Sequence, residues 1–443
     1  MHHVFFRSIA ASGSLASLMP LALMAGASLP ASEARAATVP VVNCRDSGAG
    51  SLRGAVASAR SGDTIDLTKL GCRKIVLTSG PIDIPQQYLS LIGSGRANTV
   101  LDGNNAGSVL MHGREGMGPG TLVVKSMTLA NGNGRCVVSM GNLDLISSDV
   151  HHCSGGGAFA DLHLRLIDSR LYSNHAPGEY GYGGGAAARS LRAVSSQVWN
   201  NSATEGGGLW SATDASLSYS SVSQNRSVGA GGGVYAIGNL LVNKSTISTN
   251  RATGVDSGHG GGARGNEVAV YDSTFSGNVA NYASAVFARG SVEIANSTIV
   301  ENRETQAVPP TAGAVFVYSL SGDYFPPPTP IGDRGPYTIN SSIIARNQAN
   351  GMPGNDLGPY YWVAGANNII ERATILLPAD TLSANPLLDP LADNGGPTKT
   401  HALRSASPAI DRGNNRRNRQ YDQRGPDFMR IKGVAPDIGA FER

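Results

Sequence analysis

The stretch KSTISTN at residues 244–250 is one copy of a pattern that the chain keeps returning to: DSRLYSN at 168–174, DSTFSGN at 272–278 and NSTIVEN at 296–302. Aligned on the last residue, the copies read Asn174, Asn201, Asn225, Asn250, Asn278, Asn302 and Asn347, with Asn131 and Cys153 as looser members at the front. Five places earlier stands a serine each time: Ser126, Ser148, Ser169, Ser196, Ser220, Ser245, Ser273, Ser297 and Ser342. Three places before the Asn lies an apolar residue in every copy but the first, among them Leu171, Ile247, Phe275 and Ile299. Eight and ten places before it come two further apolar columns, such as Leu164/Leu166, Leu240/Val242, Val268/Val270 and Val292/Ile294.

Apolar residues two apart specify strands, and successive Asn positions lie 21 to 28 residues apart except before Asn347. A fixed period of that size with glycine-rich connections is the mark of a solenoid. A second block follows most Asn residues, GGGLW at 206, GGGVY at 231, SAVFA at 284 and GAVFV at 313, and reads as a turn and a second short strand. Each repeat is therefore one coil of a parallel β-helix, with coils about 4.8 Å apart. Equivalent Asn side chains sit above one another, so Asn174 through Asn347 are expected to form a hydrogen-bonded structural ladder that also satisfies the backbone of the turn. The GGG runs supply turns with positive φ and lack the strand–turn–helix setting of a nucleotide site.

Composition agrees. The 57 glycines among 443 residues have no collagen period, and 41% hydrophobic content is too high for disorder. A net charge of +3 gives no electrostatic case for a nucleic-acid partner. Residues 1–36 read as a cleaved export signal: His2, His3 and Arg7, an apolar run LASLMPLALMAGASLP, then Ala34-Arg35-Ala36. No later segment is apolar for long enough to span a bilayer. The four cysteines fit an oxidising compartment and no metal-binding spacing; of three possible pairings the nearest neighbours, Cys44–Cys72 and Cys136–Cys153, are expected. SLRGAVASA at 51–59 reads as a short helix capped by Ser51, with Leu52, Val56 and Ala59 on one face, plugging the N-terminal end of the core.

DSGAGSLRGAVASARSGDTIDL at 46–67 resembles the opening segment of exported bacterial right-handed parallel β-helix proteins. NPLLDPLADNGGPTKTHALRSASPAIDRGN at 385–414, with DQRGPD and the terminal PDIGAFE, resembles the choice-of-anchor Q domain found on such proteins. The resemblance implies an extracytoplasmic protein of pectin-lyase-like shape. With no LPxTG motif or apolar tail after it, release or periplasmic retention is expected over surface anchoring.

That shape also hosts polysaccharide lyases and hydrolases. GHG at 258–260 and RIK at 430–432 resemble polygalacturonase motifs, but the coil before His259 carries no paired aspartates and Arg430 lies far away in the terminal module. Lys244 and Asp272 share a register in adjacent coils and are the candidate base and carboxylate of a lyase, or simply a ladder ion pair. Other outward carboxylates, Asp168, Glu205, Asp256 and Glu293, are scattered. Aromatic residues in irregular insertions, Tyr180, Tyr182, Tyr318, Tyr324 and Phe325, are the candidate sugar-binding platform, whereas Tyr360, Tyr361 and Trp362 are expected to be buried. The basic run with Arg412, Arg416, Arg417, Arg419 and Arg424 reads as a solvated loop, with recognition of an anionic glycan as the alternative.

The reading is thus a signal (1–36), a cap with irregular coils (37–119), regular coils (120–350) and a last coil with a terminal module (351–443), needing no metal or cofactor. Its expected role is non-catalytic binding of a polysaccharide or cell-surface glycan, or adhesion. A lyase or glycosidase, and a purely structural envelope component, are the alternatives.

Overall fold

The computed structural model describes residues 36–113, 119–254, 257–306, 313–318, 336–359 and 361–443. Tyr324, Phe325, Tyr360, Asp256 and all but the last residue of the expected signal lie outside the described residues.

One coil shows how the repeat folds. Its strands are Leu209–Ser211, Ala215–Ser218, Ser221–Ser223 and Arg226–Ser227. Each pairs in parallel with the same segment one coil on: Leu209 with Val234, Leu217 with Val242, Val222 with Ile247 and Ser227 with Ala252. Repeated along the chain, the first two strands of each coil build a 19-stranded sheet, the third a 12-stranded sheet and the fourth an eight-stranded sheet, counted among the described residues. Continuous winding with parallel coils makes this a right-handed parallel β-helix, the hand that twisted strands favour. The apolar columns of the repeat face inward, and Leu166, Leu217, Val242, Ile247, Phe275 and Ile299 are all fully buried.

The repeat's polar residues make the corners. The residue before each Ser and the residue before each Asn adopt positive φ, as at Ser195 and Asn200, Tyr219 and Gln224, Lys244 and Thr249. These αL corners turn the chain between strands, and the buried Ser and Asn beside them satisfy the groups the turn exposes. The backbone N–H and the side-chain amide of Asn225 both donate to Oδ1 of Asn250, each at 3.0 Å, and the same pairing recurs from Asn174 to Asn347. A serine ladder runs parallel to it: the N–H of Ser196 donates to Oγ of Ser220 at 3.1 Å, while Oγ of Ser196 donates back to the carbonyl of Val194. The last amide, Asn347, donates to Asp356, a buried carboxylate that closes the ladder at 2.7 Å.

The first copy is one residue out of step. Ser126 and Asn131 are themselves the αL residues, equivalent to Ser147 and His152, so Leu129 rather than Thr128 stands in register with Val150. An apolar residue does fill that core column, one place later than a strict count places it.

The helix Leu52–Ser58 covers the N-terminal end; Oγ of Ser51 accepts from the N–H of Gly54 at 3.1 Å, and Leu52, Ala55 and Val56 are buried. Disulfides join Cys44 to Cys72 and Cys136 to Cys153. Among the described residues no helix is long and apolar enough to cross a membrane.

Residues beyond about 385 lie along the outer face of the 12-stranded sheet. Thr246 donates to the carbonyl of Lys399, Thr274 to the side chain of Gln423, and Thr298 accepts from the N–H of Ala440. A second small core seals the contact, with Val300, Ile343 and Ala345 of the coils against Leu388, Leu403, Ala409 and Ile438. The arginine-rich run is a solvated loop only in part: Arg412 and Arg416 are exposed, whereas Arg417, Arg419 and Arg424 find partners on the coils or in the module. Arg417 pairs with Glu293 at 2.5 Å and covers the Tyr271 ring, Arg419 pairs with Asp272, and buried Arg424 forks onto Asp422 between the rings of Phe428 and Phe441. Arg430 is fully buried in the same module.

Candidate functional site

The outer surface of the 19-stranded sheet carries a column that one coil alone does not reveal. In the strands Leu209–Ser211, Val234–Ala236, Ala263–Tyr271, Val286–Ala295 and Val315–Val317, the residue in the middle of the first three-residue segment points outward because its neighbours fill the core. Those middle residues are Trp210, Tyr235, Arg264, Phe287 and Phe316, each in register with the next. Beside them runs a column from the glycine turns. Tyr182 bridges to Glu205 and His259 to Tyr282, with small Ala230 between Glu205 and His259.

The two columns interlock through ring contacts. Tyr182 stacks on Trp210 with centroids 4.7 Å apart at 17°, and Tyr180 meets Tyr182 edge-on at 6.4 Å. Phe287 lies nearly parallel to Phe316 at 5.9 Å, and His259 meets Phe287 at 4.5 Å. The guanidinium of Arg264 rests over Tyr235 at 4.6 Å and reaches Phe287 at 5.4 Å. Tyr180 is 75% exposed, and Tyr318, which directly follows the Phe316 strand, is 52% exposed, whereas Tyr235 and Phe316 are buried within the column.

Its electrostatics centre on Ala230. Burial pushes the Glu205 carboxyl up from its ordinary value, opposed by Arg264 and the Trp210 indole. Burial, followed by Arg264, pushes the His259 imidazole down to about 4, so it is neutral at pH 7. The arrangement offers aromatic rings, one cation, a carboxyl whose pKa burial raises and a neutral imidazole within adjoining coils. Sugar rings, with an apolar face and a rim of hydroxyls, match such a surface.

The sequence-based candidates fall on different ground. Tyr180, Tyr182 and Tyr318 belong to this face. Lys244 and Asp272 do occupy equivalent αL corners of adjacent coils, but both are buried beneath the terminal module. The Lys244 ammonium donates to the carbonyls of Tyr421, at 2.8 Å, and Asp422. Asp272 accepts from Asn296 and pairs with Arg419 at 3.1 Å. Burial pushes Lys244 down and Asp272 up, and each charge opposes the shift of the other. Both groups are thus engaged in holding the module to the coils. Tyr361 packs partly buried against the core. Asp168 pairs with Arg96. Glu293 accepts from Tyr271 as well as from Arg417 and borders a separate depression of about 740 Å³ lined by Arg165, Arg192, Asp214, Leu241 and Glu267.

Trp210, Tyr235, Arg264, Phe287 and Phe316 were missed as site residues, although each is readable as the fifth or fourth residue of its glycine block: GGGLW, GGGVY, GGGAR, SAVF and GAVF. The signal lies in comparing blocks across coils.

No protein-family profile matches this sequence, and no curated protein does. Among solved structures the chain is similar to the crystal structure of pectate lyase Pel9A, at 15% identity and a TM-score of 0.49 over 92% of this chain and 98% of that one.

Proposed function

We propose that this protein is an exported β-helix of the cell surface or envelope that binds a polysaccharide along the aromatic face without turning it over. The observation that carries the reading is the in-register column from Trp210 to Phe316, flanked by Tyr180, Tyr182 and Tyr318. Tyr235 and Phe316 are buried, so the rings available to a glycan are exposed Tyr180 and Tyr318 and half-buried Trp210 and Phe287, which coil-by-coil packing fixes in advance at little entropic cost. The two disulfides and the likeness of residues 385–414 to a choice-of-anchor Q module support export.

A second reading, a glycosidase or lyase, has one observation in its favour: Glu205, Arg264 and His259 converge around Ala230 with the carboxyl raised and the imidazole neutral. The experiment is a glycan array run beside reducing-end and unsaturated-uronate assays on the same purified protein. Binding without turnover is the expected result, turnover supports the second reading, and no binding to any glycan leaves a structural envelope component.

A further inference from the structure

The outer face of the 12-stranded sheet holds a second set of rings, outside the face described above. His151, Tyr172 and Trp199 occupy one column of the strands Asp149–His151, Arg170–Tyr172 and Gln197–Trp199. His151 stacks on Tyr172 at 4.7 Å and 25°, and Tyr172 on Trp199 at 4.4 Å and 10°. All three are half-buried, so each still presents part of its ring to solvent. Further along, the same column becomes Ser223, Ser248 and Ser276, and there the terminal module closes over it, with His401 bonded to Oγ of Ser276 at 2.9 Å. The platform therefore ends where that cover begins.

Around the next corner a shallow groove joins Trp199 to Asn200, Gln224, Thr249, Arg226 and Arg251. Arg226 and Arg251 stand directly opposite each other in adjacent strands of the eight-stranded sheet, and both are exposed. Among the described residues neither has an ion-pair or side-chain hydrogen-bond partner, whereas Arg170, on the strand that carries Tyr172, pairs with Asp149. Like charges facing each other across neighbouring strands repel, a cost that the fold carries without a counter-ion of its own. Two arginines in register on adjacent strands, about 4.8 Å apart in backbone spacing, suit a single group with three anionic oxygens, since each guanidinium can fork onto a different pair of them.

We propose that this platform and groove form a second carbohydrate site, for a glycan bearing sulfate or phosphate esters. A sugar ring lies over the Trp199 face that small Ser223 leaves uncovered, with Tyr172 stacked behind that indole, and a tetrahedral ester group bridges Arg226 and Arg251. The site is independent of the polysaccharide face, and its test uses different probes.

The test is a titration of the full chain with dextran sulfate, a phosphorylated mannan, unmodified dextran and polygalacturonate at two salt concentrations. The sulfated or phosphorylated probe is expected to bind at least tenfold more tightly than dextran and polygalacturonate; which of those two probes wins identifies the ester. Arg226→Gln with Arg251→Gln should abolish that preference and flatten the salt dependence, without lowering the melting temperature. Tyr172→Ala with Trp199→Ala should weaken the same probe about tenfold. Arg45→Gln with Arg192→Gln removes equal charge from other exposed positions and should change nothing. The proposal is overturned if this control weakens binding as much as the groove variant does. It is also overturned if polygalacturonate binds as tightly as the esters, or if the groove variant keeps full affinity.

Discussion

The two halves of the 12-stranded sheet are built from the same repeat yet present opposite outer surfaces. Over the earlier coils its outward column is His151, Tyr172 and Trp199, open to solvent; over the later coils the same column is Ser248, Ser276 and Val300, closed by the terminal module. The neighbouring column changes likewise, from Asp149, Arg170 and Gln197 to Thr246, Thr274 and Thr298, whose hydroxyls bond the module. Inward, nothing changes: Leu171, Val198, Ile247 and Phe275 are equivalent and equally buried. The core thus follows the repeat, while the outer residues follow whatever lies against them, be it water, a module or a ligand.

The largest expected effect breaks what the halves share. Phe275→Asp places a carboxylate in the fully buried column, where no partner awaits it, and should cost several kcal/mol, enough to abolish a cooperative melt. An unchanged melting temperature would show the strand register to be inverted.

Next comes a substitution confined to the covered half. Lys244→Ala leaves two carbonyls of the module without their donor and takes away one of the cations that face buried Asp272, which keeps Arg419, and should cost about 3 kcal/mol. Gln224→Ala, at the exposed αL corner of the open half, should shift melting far less. Equal shifts at the two positions would remove the distinction between covered and open halves.

The repeat made the interior legible because each apolar column recurs with a fixed offset from its Asn, and the first copy went out of step only because its corners fall one residue later, at Ser126 and Asn131 themselves. The disulfides and the capping helix at Ser51 were also readable, being local in sequence. The terminal module's position was not, because contacts such as Lys244 with Tyr421 join residues far apart in sequence and leave no periodic trace. Nor was the aromatic face, since Trp210, Arg264 and Phe287 differ in type and share only a position. Tyr180 and Tyr182 were found because they interrupt the repeat, whereas Trp210 obeys it.

A smaller effect sharpens the comparison at the end of the amide ladder. Asp356 accepts from Asn347 and from the N–H of Arg372, and Glu304 accepts from the N–H groups of Ala283 and Gly313; burial pushes both carboxyls up to about 7. A carboxyl whose pKa is higher in the folded state binds protons on folding, so these two groups should contribute stability as pH falls through 7. Against the opposing pull of buried histidines such as His259, whose unfolded imidazoles take up protons over the same range, the two carboxyls together should add about 1.5 kcal/mol from pH 8 to 6.5. Asp356→Asn, which keeps an acceptor for Asn347, should remove about half of that dependence in thermal melts; a slope unaffected by the substitution would place the titration elsewhere.

The smallest effect belongs to the open half. Trp199→Ala removes one stacked ring from a half-exposed platform and should cost about 1 kcal/mol by chemical denaturation. A loss several times larger would make the stack a structural ladder like that of the asparagines.

The most direct measurement of the polysaccharide-binding face is the affinity of Trp210→Ala with Phe287→Ala for the glycan that binds the unaltered protein best, with both proteins melted in parallel. Removal of two rings from the outward column should weaken binding by at least tenfold, about 1.4 kcal/mol, while the ladders and inward core keep the melt cooperative. Full affinity in a folded double variant would contradict glycan recognition on that face.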